Sequence, residues 1–433
     1  MVPRVLLTDT NRWPCAARLA IGLSKLGCDV SAICPVPGHP LLKTRAVKKL
    51  YRYSPLRPVE SLAAAIDASQ PDIILPCDDR GVQHLHELYE RAKTLNSVGA
   101  KVVELIERSL GAPSSFPIVS ARYDLLKAAR EEGLLVPDTK LIDSFEDLRA
   151  WQSEQPFPWV LKADGTWGGR GVRVAENLQQ AEHYFIELTK LPSSLHVFKR
   201  LVMSRDRFWV RPWWTGKKPH IIAQSHISGR PGNCAVACWE GKILAGIAVE
   251  VISAQGLRGP ATVVRVVHNS EMLIFAERLA RRLRLSGIFG LDFMIDNASE
   301  ATYLIEMNPR STPLSHLQLG KGADMVSAIW AQLSSQPLPD LPPVTTNDLI
   351  AYFPQAWNSK SEFLPTSFQD IPQGEPELVQ ELLDPWSERS VPGWLFDHFR
   401  RLTADVTPSK DFVFPSAVET LKFSEGVRGS KAV

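Results

Sequence analysis

The chain has 433 residues, 44% of them hydrophobic, which is too long for one small domain and ample for a sizeable core. Its 49 Lys and Arg nearly balance 47 Asp and Glu, so charge gives no reason to expect a nucleic acid or an anionic membrane as partner. There is no apolar run long enough to span a bilayer and no basic-then-apolar leader, so a soluble cytoplasmic protein is expected.

The first stretch alternates strand and helix. Val5 to Asp9 reads as a buried strand, residues 14–26 as a helix stopped by Gly27, and Asp29 to Cys34 as a second strand. A basic, proline-bearing loop follows, then a helix over 58–69 and a third strand over 71–76. Repeated strand–helix units imply a parallel sheet with helices on its faces, and with no GxGxxG after the first strand nothing marks a dinucleotide site. Cys15, Cys28, Cys34, Cys77, Cys234 and Cys238 form no CxxC pair and read as small buried thiols. His84 and His86 lack HExxH spacing and read as part of an ordinary helix face.

Pro113 to Pro117 is a linker composition, and a helix follows over 121–132. Residues 157–174 then read as strand, glycine-rich loop and strand. The loop holds Gly165, Gly168, Gly169 and Gly171. Glycines let backbone N–H groups converge on a polyphosphate with no side chain in the way, and Lys162 on the preceding strand adds a fixed positive charge. A strand, not a helix, follows the loop and no GxxxxGK[ST] occurs, so this is a hairpin able to close over a nucleotide and not a P-loop. Arg205 to Trp214 mixes basic and aromatic residues, but in a near-neutral chain its ten residues read as packing and not as a nucleic-acid surface.

Residues 220–266 are strand-rich, 270–285 helical, 288–295 and 302–307 strands, and 323–333 a helix. The two strands carry the sharpest signal. Leu291, Phe293 and Ile295 alternate with Asp292, and Tyr303, Ile305 and Met307 alternate with Glu306 and Asn308. Folded about the turn at 296–300, Asp292 comes opposite Glu306. Facing carboxylates repel unless a cation lies between them, and hard oxygen donors suit Mg²⁺ bound with phosphate. Arg310, just past Pro309, is placed to clamp a phosphate or carboxylate.

Together these segments resemble the ATP-grasp superfamily, in its carboxylate–amine ligase and carbamoyl-phosphate-synthetase-like branch. The resemblance rests on Val160-Leu161-Lys162, Gly165 to Gly171, Gln224 to Arg230, Gly287 to Phe293 and Leu304 to Arg310, and spans roughly residues 1–330. It implies an α/β (α+β) fold: a Rossmann-like pre-ATP-grasp domain over 1–113, a helical linker and central lid over 114–219, and a metal-binding subdomain over 220–335. The extension over 336–433 lies outside it and reads as a covering segment on the body. The resemblance further implies ATP and Mg²⁺ as cofactors. Asp292, Glu306 and Asn308 match the metal ligands, Lys162 and Arg122 the phosphate contacts, and Gln224 to Ile227 the hinge that meets adenine. This chain has Ser225 where the family often has Glu, and Glu240 is a candidate to compensate.

The reaction that the resemblance implies is ligation of a small-molecule carboxylate to an amine through an acyl-phosphate, with amino acids as candidate substrates; a homodimer is a common assembly for the fold. Lys162, Arg310 and Arg265 are the candidate catalytic side chains, with Arg265 near a Gly-Pro turn as a substrate-carboxylate contact. Asp78 and Asp79, ending a parallel strand, are candidates for the substrate pocket, and His316 for a capping or core role. Two rivals remain: a bicarbonate-using enzyme of the same fold, and a nucleotide-binding module without catalysis.

Overall fold

Three sheets organise the chain, and each grows from a different residue pattern. The computed structural model describes residues 2–35, 38–94, 97–165, 171–190, 219–256 and 259–385. Near-continuous apolar runs make the first sheet from β1 (Arg4–Thr8), β2 (Asp29–Cys34), β3 (Lys49–Arg52) and β4 (Ile73–Pro76), all parallel, in the order β3-β2-β1-β4. Helices α1 (Pro14–Lys25), α2 (Pro58–Ser69), α3 (Asp79–Ala92) and α4 (Ser97–Leu110) complete this region. Pro14 opens α1 and Gly27, at φ +81°, lets the chain turn out of it. Val5, Leu7, Val30 and Leu75 enter one core, while Leu6, Ile33 and Ile74 enter another, as a doubly covered sheet requires. Strand order reverses at β1, which has β2 on one side and β4 on the other. The crevice beyond the carboxyl ends of β1 and β4 is where such sheets receive ligands. Strand β3 falls in the stretch expected to be loop; four residues are too few to show an alternation.

After α5 (Phe116–Ser120) and α6 (Arg122–Glu131), a small antiparallel sheet is built from β5 (Thr139–Ile142), β6 (Trp159–Ala163), β7 (Val172–Ala175) and β8 (Ile221–Ser225) in the order β5-β8-β6-β7. Helices α7 (Phe145–Glu154) and α8 (Leu178–Thr189) cover one face, around Trp151, Trp159 and Leu161. The pairings Lys162–Ile222 and Val160–Gln224 put these four residues on the opposite face. This sheet takes in β8, so the unit runs past residue 219.

The largest sheet runs β13-β12-β9-β10-β11-β14-β15. Its strands are β9 (Gly229–Trp239), β10 (Lys242–Ala254), β11 (Ala261–Val266), β12 (Gly287–Asp296), β13 (Thr302–Asn308), β14 (Leu349–Tyr352) and β15 (Phe368–Asp370). Helix α9 (Ser270–Leu283) packs on one face and α10 (Met325–Ser334) on the other, where it meets α1. The last two strands come from the extension: β14 pairs antiparallel with β11, and β15 parallel with β14. Between them lies the short helix α11 (Gln355–Asn358). Helix α12 (Pro376–Leu383) then sends Leu378 and Leu382 into the core that also holds Leu41 of the first region. All six cysteines are buried free thiols. Among the described residues, no helix is long and apolar enough to cross a membrane.

Candidate active site

Strands β12 and β13 pair so that Asp292 stands directly opposite Glu306, with a register irregularity just after it. Alternation then fixes the faces: Leu291 and Phe293 go to the core, and Asp292 turns away from it. Two amides brace Asp292. Asn308 donates to Oδ2 at 3.1 Å and Asn233, from the neighbouring β9, donates to Oδ1 at 2.7 Å. Burial, followed by the nearby Glu306 charge, pushes the Asp292 carboxyl up to about 7. Burial works the same way on Glu306, but the Arg122 and Lys162 charges outweigh it and hold that carboxyl below its usual range.

Arg122, at the start of α6, bridges two sheets. Its Nε donates to Glu306 Oε2 at 3.1 Å, and its Nη1 donates to the Ala163 carbonyl at 2.8 Å and reaches Asp164 at 3.4 Å. Lys162 is 5% exposed, and burial brings its ammonium down to about 8 against the pull of Glu306. A lysine at this depth keeps its charge at neutral pH only because carboxylates stand near it. Gln224, 1% exposed on the same face as Lys162, donates to Thr139 Oγ1 at 3.2 Å. Ser225 does not face a ligand: its Oγ accepts from the Asp138 N–H at 3.0 Å and its own N–H bonds the Asp138 carbonyl at 2.9 Å, tying β8 to the entry of β5. Ile227 lies in the short link from β8 to β9. Gly165, at φ +71° with open space around it, begins the glycine loop, and Gly171 ends it. Gly168 and Gly169 lie outside the described residues, as does the 205–214 segment.

Arg310 closes the other side. Its Nε lies 3.0 Å from Asp79 at the start of α3, its Nη2 donates to the Asn308 side-chain carbonyl at 3.0 Å, and its guanidinium covers the Trp13 ring at 5.9 Å. Asp79, Arg310 and Asn308 therefore link the carboxyl end of β4 to the acidic pair. Asp78 has a different task from Asp79. It accepts from the Thr10 N–H (2.6 Å), the Thr10 hydroxyl (2.7 Å), Asn11 (3.1 Å) and the Gly81 N–H (2.7 Å), stitching the two strand ends together.

Two candidates are not brought here. The register Arg265–Glu250–Gly232–Phe293 places Arg265 on the Phe293 side of the large sheet, opposite Asp292, where it is exposed and paired with Asp348 at 3.4 Å. Its expected substrate contact is corrected on that ground: the side chain is on the wrong face. Glu240 follows the far end of β9, seven residues from Asn233 and so roughly 20 Å away along the strand. His84 bonds the Tyr53 hydroxyl at 2.9 Å and His86 stacks on Phe116 at 4.2 Å, both as packing on a helix face.

The donor set suits Mg²⁺ by its own chemistry. Two half-buried carboxylates face each other, with the Asn308 amide beside them, its NH2 on Asp292 and its oxygen on Arg310; a divalent cation would relieve the excess negative charge and could take that oxygen if the amide turned. Among the described residues no group of three or more His, Cys, Asp or Glu is arranged to hold a metal, so this is not an all-protein cage. Mg²⁺ commonly keeps such open sites and completes them with phosphate oxygens and water.

Residues 119–313 match the ATP-grasp domain family. Over those residues the chain carries an ATP-grasp domain. It is similar to the arginine-specific large chain of carbamoyl phosphate synthase from Geobacillus stearothermophilus, at 24% identity over 289 residues, which is 64% of this chain and 25% of that one. A carbamoyl phosphate synthase large chain from Micrococcus luteus is 23% identical over 203 residues, 46% of this chain and 17% of that one. The chain thus spans a quarter or less of the length of those relatives. Among solved structures, N5-carboxyaminoimidazole synthetase from Staphylococcus aureus, complexed with ADP, superposes at TM-score 0.55 and 12% identity over 78% of this chain and 79% of that one. The biotin carboxylase domain of Hydrogenobacter thermophilus 2-oxoglutarate carboxylase, in complex with MgADP, ADP and bicarbonate, gives 0.55 and 15% over 79% and 72%. At these identities the likeness is one of fold: an ATP-grasp body behind a Rossmann-like first domain.

Sequence reasoning missed Asn233, Asp164, Trp13 and the Asp79–Arg310 pairing. Asn233 lies within the strand-rich stretch, but its role comes from cross-strand register, which a single strand does not display.

Proposed function

We propose that this ATP-grasp chain is an ATP- and Mg²⁺-dependent ligase that activates a carboxylate as an acyl-phosphate and joins it to an amine, releasing ADP and phosphate. The observation that carries the reading is the opposed pair Asp292–Glu306 flanked by Lys162 and Arg122 on one side and Arg310 on the other. Asp292, Glu306 and the Asn308 carbonyl would hold Mg²⁺, which supplies neutralisation of phosphate charge when bound. Lys162 and Arg122 carry the positive charge that a transferring phosphoryl group requires, in a buried setting where such charges act strongly. Gln224 and the 225–227 link border the adenine side. The loop from Gly165 to Gly171 would close over the phosphates and keep water from an acyl-phosphate. Arg310, steadied by Asp79 and Trp13, would orient the carboxylate as it attacks. No side chain needs to act as a covalent nucleophile.

For the acid and amine we favour amino acids, because the Arg310 guanidinium, the Asp79 carboxylate and the Trp13 ring stand together beside the acidic pair. The likeness to carbamoyl phosphate synthase and biotin carboxylase favours a second reading, in which bicarbonate is the carboxylate. Phosphate release from ATP, measured against a panel of amino acids and amines with and without bicarbonate, separates them. Release that needs an acid and an amine together supports ligation, and release with bicarbonate alone supports the second reading. No release in any mixture leaves a nucleotide-binding module and ends both.

A further inference from the structure

Beyond Arg310 lies a second buried polar cluster that the proposed reaction does not use directly. It joins three parts of the chain: Arg18 on α1, His316 on the turn after Arg310, and Asp370 at the end of β15 in the extension. Arg18 pairs with Asp370 Oδ1, and His316 Nε2 stands 2.7 Å from Oδ2. The Arg18 Nε is also 3.3 Å from that imidazole nitrogen, which can serve only one of the two. The shorter contact and the carboxylate's charge assign it to Asp370, so Nε2 carries the hydrogen. Burial lowers the His316 pKa and keeps the ring neutral, while the His316 and Arg18 contacts overcome burial to hold Asp370 ionised. One cation, one anion and one neutral donor leave the cluster balanced. All three side chains are nearly inaccessible, at 11%, 8% and 6% exposure.

The placement of this cluster gives it a role. The turn from Arg310 to His316 is fastened at its start by the Ser311 N–H on the Pro76 carbonyl at 3.0 Å, and within by Thr312 and Ser315 at 2.8 Å. Its far end is held by His316 on Asp370. Arg310 itself rests on Trp13, the residue that precedes α1, and Arg18 belongs to the same helix. We propose that Asp370 is a positioning residue: by holding His316 and Arg18 it fixes the 310–316 turn and α1, and so the aim of the Arg310 guanidinium. The extension is then part of the substrate side of the cleft and not only a cover. This rests on the proposed reaction for its functional consequence, but not for its structural one.

The test uses the full chain with Asp370→Asn, which keeps the shape and removes the charge, and Asp370→Glu, which keeps the charge. Backbone hydrogen exchange is the first readout. Exchange in 311–317 should quicken by about tenfold in Asp370→Asn while β9, β12 and β13 stay protected, and Asp370→Glu should restore part of the protection. The second readout is MgADP affinity, which should change less than about twofold, whereas any acid-dependent ATP turnover should fall by about tenfold in kcat/KM. Unchanged exchange in 311–317, or a loss of protection spread evenly over all three sheets, would overturn the proposal. If Asp370→Asn does not fold, the pair His316→Gln and His316→Leu replaces it: retained protection with the donor and lost protection without it is the expected result, and equal behaviour overturns it. A chain with no ATP turnover in any mixture still reports on the turn through exchange, so failure of the reaction and failure of the positioning role are told apart.

Discussion

The two sides of the cleft differ in how their charges are settled. On the Asp292 side, two carboxylates oppose each other, one is pushed up to about 7, and the nearby Lys162 is drawn down to about 8. On the Asp370 side, Arg18 and Asp370 neutralise each other's charge and His316 joins them. A cluster balanced by its own side chains holds a shape. A cluster left with opposed carboxylates costs stability until something from outside completes it, which is why it reads as the place where ligand binds.

The largest expected effect comes from emptying the unsettled side of its ligand charge. Glu306→Gln should cut ATP turnover by about a thousandfold or more and weaken Mn²⁺ or Mg²⁺ binding, with the far-ultraviolet circular dichroism unchanged. Wild-type turnover in that variant would remove the metal assignment. Next, Lys162→Met should lower turnover by about a hundredfold, read from ADP formation at saturating ATP.

The pH dependence sharpens the comparison. In the ligand-free protein Asp292 gains a proton below about 7 and Lys162 loses one above about 8. Affinity for Mg²⁺ with ADP should therefore be highest between those values and fall on either side, by up to about tenfold per unit on the acid limb. The sign for stability is opposite. An acid whose pKa is raised by folding binds its proton more tightly in the folded state, so the contribution of Asp292 to the stability of the metal-free chain falls as pH rises from about 4 through about 7. Asp292→Asn should remove this loss, giving a metal-free Tm at pH 8 above that of wild type while abolishing metal binding; a lower Tm would show that the carboxylates are not in conflict. The smallest effect is expected at Arg265→Ala. Its exposed pair with Asp348 is worth about 0–1 kcal/mol, and kcat/KM should stay within about twofold.

The same contrast explains what the sequence could say. Asp292, Glu306 and Asn308 were visible because acidic and amide residues interrupt apolar strands on either side of a turn; the register shift between Phe293–Leu304 and Asp292–Glu306, which brings the two carboxylates opposite each other with Leu304 and Met307 both in the core, was not. Lys162 and the glycines were visible because a charged residue in an apolar strand beside a glycine loop has few other uses. Arg265 alternates too, but its face relative to Asp292 depends on register carried across β11, β10, β9 and β12, with an irregularity at Val251–Ser253. The extension hid its sheet contribution because β14 and β15 have four and three residues, too short for a period to appear. Asp370 could not be found at all, since its partners lie 352 and 54 residues away.

Locating the cation tests the central claim most directly. Crystals of the full chain grown with ADP and Mn²⁺ in place of Mg²⁺ should show an anomalous peak about 2.0–2.2 Å from carboxylate oxygens of both Asp292 and Glu306, with the nucleotide phosphates beside Lys162. A peak at other side chains, or bound ADP with none between the β12 and β13 carboxylates, would contradict it.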